Sequence, residues 1–512
     1  MTLAERTSVI LRPNPQRVLS RLFIPGEEHL IVGKSRAKEV VSRCMNLSED
    51  VVQETFATTI ARFGHRHRDL EEQLLVHFCA VENLVDQSAG EISRERKMLI
   101  GAYFTQEYSF ESAAYFNPSM VAHPDQSGLS SGYLRIIMSV RAVGEGHISS
   151  LVFRSGIINP IGEILIDSSP HYATSHTKRS SVLHNHVVKQ TAISSGCDDE
   201  RLDLVLGLLP NKFTPADLEV ALSQVIPMNQ SETEPDPVRA VLQTIVQSGY
   251  ETNFSDKTPI SEQVLWPTSP DERGGIEDAR WVYFTKPNGT SSYIATYTAY
   301  DGHSVSTRVF ETENFCNYTS TNLTGSAINN KGVALFPRTI NGKYLAMSRW
   351  DRESNSIAFS DDGFHWDKAT TIQVANQPWE IVHIGNCGSP LETESGWIVI
   401  ITHGTGPMRE YCLGAILLDL EDPTKVIGRL SQPLLSANAD ERNGYVPNVV
   451  YSCGGLIHNG TIFLPYGFSD TGTRIATVNV AELVEAMFAN GPIGNETPAG
   501  SLNENVPNGL AT

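Results

Sequence analysis

The stretch Trp397-Ile-Val-Ile-Ile-Thr-His-Gly-Thr-Gly406 is an apolar run of strand-forming residues that ends abruptly in polar ones. Four other segments share the design: Leu134 to Arg141 and on to Gly146, Tyr293 to Asp301, Tyr344 to Asp351, and Ile462 to Asp470. Their polar ends, Asp301, Arg349, His403 and Asp470, follow at intervals comparable with the ~40–50 residues of a propeller blade. The interval from Arg141 to Asp301 is much longer and leaves room for an insertion. Inner-strand ends of a propeller converge on its central channel, so five such strands predict an all-β five-bladed β-propeller with added α-helical segments. A pair of β-sandwiches is the alternative.

Two stretches carry helical periodicity instead. From about Ser35 to Thr105, apolar residues recur at i, i+3, i+4. A second such stretch spans roughly Asp199 to Tyr250, with Thr214-Pro-Ala-Asp217 as an N-terminal cap. The predicted organisation is an N-terminal β segment (1–34), a helical insertion (35–110), a first propeller blade (111–190), a second helical insertion (191–255), the remaining blades (256–485) and a disordered tail (486–512). The tail is polar and rich in Gly, Pro and Asn.

A chain of 512 residues exceeds the usual limit of one hydrophobic core, a limit that stacked blades escape. The net charge of −19 argues against nucleic acid or an anionic membrane as partner. An anionic substrate must therefore be held by a local basic cluster. The seven cysteines are scattered and form no CxxC pair, so neither a disulfide framework nor a zinc site is indicated, and the thiols are expected to be buried. His65 and His67 lie on a helical stretch and read as a solvated face, and no metal is implied. The N-terminus has no apolar targeting region, which makes a cytoplasmic protein the expectation.

The chemistry concentrates in Gly274-Gly-Ile-Glu-Asp-Ala-Arg280, at the mouth of the strand-like Trp281-Val-Tyr-Phe284. Neighbours on a strand face opposite ways. One of Glu277 and Asp278 is then the functional acid, and the other braces the loop through Arg280. Alone, such a motif reads as a surface turn with a salt bridge.

It does not stand alone. Phe116-Asn-Pro-Ser119, Arg141, the Gly275–Arg280 motif, Lys331-Gly-Val-Ala-Leu-Phe-Pro337, Ser348-Arg349 and the Ala358–Trp366 stretch follow in order. They continue with Gly396-Trp397, Thr402-His403-Gly404, Leu417 to Pro423, Val446-x-Asn448, and Tyr466-Gly467-x-x-Asp470. In this order, over about 111–483, the chain resembles glycoside hydrolase family 130, the β-mannoside phosphorylases and their hydrolase relatives.

The resemblance implies an inverting β-mannoside phosphorylase that moves a mannosyl group from a mannose-containing oligosaccharide to inorganic phosphate, giving α-mannose 1-phosphate. Inorganic phosphate is then the co-substrate, with no other cofactor. Asp278 would supply the proton through a hydroxyl of the bound mannosyl residue. Asn117, Ser119, Arg141 and Asp470 would contact that sugar, with Asp301 a further substrate contact. Lys331, Arg349 and His403, helped by Arg409 and Tyr411, would hold phosphate. Ala279 stands where the family has proline, and His383 where a stronger base is expected. The helical stretches have no counterpart in shorter members. The apolar stripe of the first suits a rim of the channel or a homo-oligomer interface.

An inverting hydrolase is the alternative. It needs a second carboxylate ~6.5–9.5 Å from the acid, for which Asp301 or Glu380 could serve. A non-catalytic sugar-binding propeller is a third reading. Trp350, Tyr300 and Trp379 are candidates for stacking on sugar rings, against a role in the core.

Overall fold

The computed structural model describes residues 3–25, 35–86, 90–180, 183–194, 196–226, 236–491 and 501–502. Strands dominate, arranged as antiparallel meanders in chain order. The N-terminal strands are β1 (Ala4–Leu11) and β2 (Leu19–Leu22), and β2 pairs with β3 (Thr105–Tyr108). Strands β4 (Ala114–Ala122), β5 (Leu134–Val143), β6 (Ser149–Ile158) and β7 (Ile164–Ile166) form the first meander. The second runs through Gly275–Thr285, Ser291–Tyr300, Val305–Thr312 and Asn317–Asn322. The third comprises Ala334–Leu335, Tyr344–Ser348, Asn355–Ser360 and Lys368–Gln373. The fourth comprises Leu391–Thr393, Gly396–Thr405, Tyr411–Leu418 and Val426–Arg429. In the last sheet Val450–Tyr451 and Leu456–His458 both pair with Thr461–Phe468, followed by Gly472–Asn479. Strand β1 then pairs antiparallel with Gly472–Asn479, so the two ends of the β region share one sheet.

Burial explains why these strands are so apolar. Ile137 and Phe153 of the first meander pack with Ile276 and Ala295 of the second. Val282 and Phe284 pack with Leu335 and Ala346 of the third, and Met347 and Ile357 with Val399 and Ile416 of the fourth. Ile400 and Leu417 meet Ile462 and Leu464 of the last sheet, whose Phe463 and Ile475 pack on Met120 and Met138 of the first. Each sheet is covered on both faces by its neighbours, and the sequence of contacts returns to its start. A strand buried on both sides reads as a continuous apolar run, which is the pattern that the five segments carry. Each of the five includes the strand next to the first of its sheet.

The helices form two separate packs. Helices α1 (Arg36–Met45), α2 (Glu49–Phe63), α3 (Leu70–Val81) and α4 (Arg94–Tyr103) enclose Val41, Phe78, Ile100 and Phe104. Ser35, Ser48 and Ser93 cap α1, α2 and α4 by accepting backbone N–H bonds. Helices α5 (Asn185–Ser194), α6 (Glu200–Gly207), α7 (Pro215–Val225) and α8 (Pro237–Ser248) enclose Val188, Leu206, Leu222 and Leu242. Thr214 and Asp217 form the cap expected for α7, as a full capping box.

Some expectations need correcting. His67 is buried, not solvated, and bonds Glu107 of β3 at 2.9 Å, tying the helical pack to the sheet edge. Cys79 is exposed and Cys316 half-buried, while the other five cysteines are buried as expected. Helix α9 (Val480–Ala489) runs past the expected start of the tail, and Ser501–Leu502 pairs with the strand Lys368–Gln373. The tail at 492–500 and 503–512 lies outside the described residues. Among the described residues no helix is long and apolar enough to cross a membrane.

Candidate functional site

Three strands, one each from the first, second and fourth meanders, are interrupted. The ladder of β4 shifts register between Phe116 and Ser119, that of Gly275–Thr285 between Glu277 and Arg280, and that of Gly396–Thr405 between Ile401 and Gly404. Bulges re-aim side chains. Asn117 and Asp278 adopt φ of 51° and 55° there, and Asp470 turns at 48°. Left-handed backbone at non-glycine residues carries a cost and clusters where function requires it.

The bulge at 277–280 overturns the alternation argument. Arg141 Nη2 donates to Glu277 Oε1 at 2.8 Å and its Nη1 to Asp278 Oδ1 at 3.3 Å, so adjacent carboxylates face one guanidinium. Asn117 Nδ2 donates to the same Asp278 oxygen at 2.7 Å. Arg280 does not pair with Glu277. It donates instead to the carbonyls of Cys387 and Asp278 and to the Tyr451 hydroxyl, tying its strand to the segment before the fourth meander and to the last sheet. Burial pushes the Asp278 carboxyl up, but Arg141, Arg280, the Asn117 amide and Lys331 outweigh it and hold it below the usual carboxylate range.

A cavity of about 290 Å³ opens beside this cluster. Asn117, Arg141, Arg409, Tyr411, Tyr451 and Asp470 line it, with Ala114, Val143, His147, Tyr445 and Val446 at other positions of its wall. Asp470 makes no hydrogen bond or ion pair with the described residues. Burial pushes its carboxyl up to about 6, with Asp278 adding to the rise and Arg141 and Arg409 opposing it.

Arg349 lies beside Tyr411, Tyr451 and Arg280. It too makes no side-chain hydrogen bond or ion pair among the described residues, and its Nε is buried without a partner. Burial, reinforced by Arg280, pulls it below the usual arginine value. His383 stacks edge-on to Tyr411, ring centroids 5.8 Å apart. Burial and the fields of Arg349 and Arg409 lower its proton affinity, which favours neutral imidazole at neutral pH.

The other expected residues are placed differently. Lys331 Nζ is 2.5 Å from Glu277 Oε2, so its charge is answered by a carboxylate. The Ser119 hydroxyl accepts from the Trp281 backbone N–H at 3.1 Å and belongs to the scaffold between the first and second meanders. Asp301 accepts the N–H groups of His303 and Ser304 within its own turn, which push it down to about 2. Glu380 likewise caps its own turn through Asn376 and Gln377. His403 lies in the strand Gly396–Thr405, and its side chain is outside the described residues. Trp379 packs against Gly404 and Gly414 as a structural ring, since a Cβ at Gly404 would come within 1.8 Å of it. Tyr300 bonds the Gly302 carbonyl in its own turn, and Trp350 is packed against the core cluster between the second and third sheets. Sequence reasoning missed Tyr451, Tyr445 and His147, which sit on short strands and turns with no periodic signal. Glu277 was visible, but not as the anchor of Arg141 and Lys331. Among the described residues no group of three or more His, Cys, Asp or Glu could hold a metal ion.

An acid, arginines and a carboxyl without a partner among the described residues lie around one cavity where sheets meet, an arrangement suited to a ligand with polar and anionic groups. A family model described as β-1,4-mannooligosaccharide phosphorylase matches residues 238–488. A 1,2-β-oligomannan phosphorylase from Thermoanaerobacter sp. (strain X514) is 35% identical over 238 residues, spanning 44% of this chain and 75% of that relative. A β-1,2-mannobiose phosphorylase from Listeria innocua serovar 6a is 32% identical over 232 residues, spanning 44% of this chain and 63% of the relative. The solved complex of β-1,2-mannobiose phosphorylase from Listeria innocua with β-1,2-mannobiose aligns over 74% of this chain and 92% of that chain, at 22% identity and a TM-score of 0.44. The chain belongs to glycoside hydrolase family 130.

Proposed function

We infer that the chain is an inverting β-mannoside phosphorylase, built as a five-bladed β-propeller, that transfers a mannosyl group from a mannose-containing oligosaccharide to inorganic phosphate. The cyclic packing of the sheets supports the propeller. The observation that carries the activity is Arg349, a largely buried cation with no ion pair among the described residues, beside Arg280, Tyr411 and Tyr451. An unanswered buried charge is costly, and an anionic co-substrate would answer it. Phosphorylase names in both relatives support the same reading.

In this reading the nonreducing mannosyl residue rests against Asn117, Arg141 and Asp470. Phosphate, held by Arg349 with Arg409 and Tyr411 nearby, attacks C1 from the face opposite the leaving oxygen. The C1–O bond breaks, and the proton of Asp278 reaches the leaving oxygen through a mannosyl hydroxyl. Without ligands Asp278 is held ionised by its cations. A phosphate anion next to Arg280 and Arg349 offsets that field and favours the protonated acid, so co-substrate binding arms the donor.

Hydrolysis is the competing reaction. Its two sequence-derived bases, Asp301 and Glu380, are engaged in their own turns, which leaves Asp470 as the carboxyl that would activate water. The test is release of α-mannose 1-phosphate from β-1,2- and β-1,4-mannobiose with and without phosphate. Strictly phosphate-dependent turnover is expected. Release of free mannose at the same rate without phosphate would overturn the reading. The relatives are named for β-1,2 linkages and the family model for β-1,4, so the two substrates together also read out the linkage.

A further inference from the structure

The cavity has a depth order set by strand register. Along the β4–β5 ladder Phe116 is opposite Arg141 and Ala114 opposite Val143, so the wall advances two residues, about 7 Å, from the acid cluster to the Val143 position. Beyond Val143 the chain turns at Gly144 and reaches His147, which is exposed and has φ of 59°. Beside this turn, Tyr445 donates its backbone N–H to the Thr471 hydroxyl, next to Asp470. The His147 and Tyr445 rings face each other at 6.1 Å, inclined by 30°. Tyr445 is 68% exposed. Polar groups thus line the floor, Val143 and Val446 the middle, and two rings the mouth.

The turn that carries His147 is held by the end of the helical pack. Directly after α4, strand β3 ends in Tyr108, whose buried hydroxyl donates to the Glu145 carbonyl. The Glu145 N–H donates to the Ser109 carbonyl at 3.3 Å. Gly144 fits so closely that a Cβ there would lie 2.3 Å from the same carbonyl. The Tyr108 ring is wedged edge-on against Trp266, centroids 4.7 Å apart. Position and conformation of His147 therefore depend on residues that the helical stretch delivers.

We propose that the first helical stretch, through Tyr108, holds the Gly144–His147 turn so that His147 and Tyr445 form an aromatic mouth that receives the leaving sugar and sets which leaving groups are accepted. This rests on the reading of the floor as the mannosyl site. With one mannosyl residue on the floor, the remainder of the oligosaccharide extends outward across this ring pair and rests on the exposed Tyr445 face, since rings 6.1 Å apart leave no room for a sugar between them. Aromatic faces suit the C–H face of a sugar ring, whereas phosphate is served by Arg349 and Arg409. Tyr108 is a positioning residue and touches no substrate.

The test compares binding of mannose with that of β-1,2- and β-1,4-mannobiose by calorimetry, without phosphate, so that it does not depend on turnover. The wild-type protein is expected to bind one disaccharide more tightly than mannose. Tyr445→Ala and His147→Ala should each cut that advantage at least tenfold and leave mannose affinity as it was. Tyr108→Phe, which removes one hydroxyl, should cut it at least threefold with unchanged melting temperature. If Tyr445→Ala keeps the advantage, or the wild type shows none for either disaccharide, the aromatic mouth is wrong. If the two ring variants lose it and Tyr108→Phe does not, the role of the helical stretch is wrong. Absence of phosphate-dependent turnover in the wild type would overturn the phosphorylase reading alone.

Discussion

Arg141 is bonded to Asp278, and the same guanidinium is bonded to Glu277, so the proposed proton donor shares its cation with the residue before it. Lys331 anchors the far side of Glu277. The acid is thereby fixed in place from below, with Asn117 as its remaining partner.

Asp278→Asn keeps the size of the side chain and removes its proton. Turnover should fall by ~10²–10⁴, and the melting temperature should move little. Phosphate-dependent release of mannose 1-phosphate measures the first and thermal unfolding the second. A loss of less than tenfold would take Asp278 out of the chemistry.

Arg349→Met should raise the KM for phosphate by about 10- to 100-fold, the equivalent of one charge-assisted hydrogen bond worth ~1.5–3 kcal/mol. The variant should be as stable as the wild type or more so, because a buried cation without a partner among the described residues has been removed. The KM for the mannoside should stay within about twofold, since Arg349 does not line the sugar-binding floor. An equal rise in both KM values would mean that Arg349 shapes the cavity and does not bind phosphate.

Much of this was legible in the sequence, and the exceptions have physical causes. The five apolar segments were readable because sheets covered on both faces need continuous hydrophobic strands. Arg141 and Asp470 stood out because each ends such a strand, and Asp278 because its motif resembles the family's. Glu277 was misjudged because alternation assumes a regular ladder, and the register shift between Glu277 and Arg280 breaks it. The turn role of Asp301 was harder to read, because an aspartate before Gly302 satisfies turn N–H groups as readily as it faces a ligand. Tyr451 and Tyr445 reach the cavity through contacts between sheets distant in sequence, which no local pattern encodes.

The Asp470 carboxyl gives stability a pH dependence with a definite sign. Its value is raised from the usual 3.8 to about 6, so between roughly pH 4 and pH 6 the native state binds more protons than the unfolded one. Stability from this group therefore falls as pH rises through that window and is level above it. Asp470→Asn escapes the penalty. It should stabilise the protein above pH 6 by about 1–2 kcal/mol, after allowance for partial exposure, with the gain gone below pH 4. Denaturant unfolding at pH 4 and pH 7.5 checks this. A gain of the same size at both values would assign the effect to packing.

Anion binding should also be coupled to proton uptake. Arg409 lowers the proton affinity of both Asp470 and His383, and Arg349 lowers that of His383. An anion among these cations weakens their field and raises both groups. Sulfate is the clean probe, because it carries no proton of its own near neutrality. Near pH 6, where Asp470 is about half protonated, sulfate binding should draw in a measurable fraction of a proton, and the uptake should fade by pH 8. Calorimetric titration in two buffers of different ionisation enthalpy gives the number directly. Asp470→Asn should reduce the uptake, and Asp470→Asn with His383→Gln should abolish it. If sulfate binds at pH 6 with no proton taken up, the anion sits away from the Arg349–Arg409 cluster, and the proposed phosphate position fails with it.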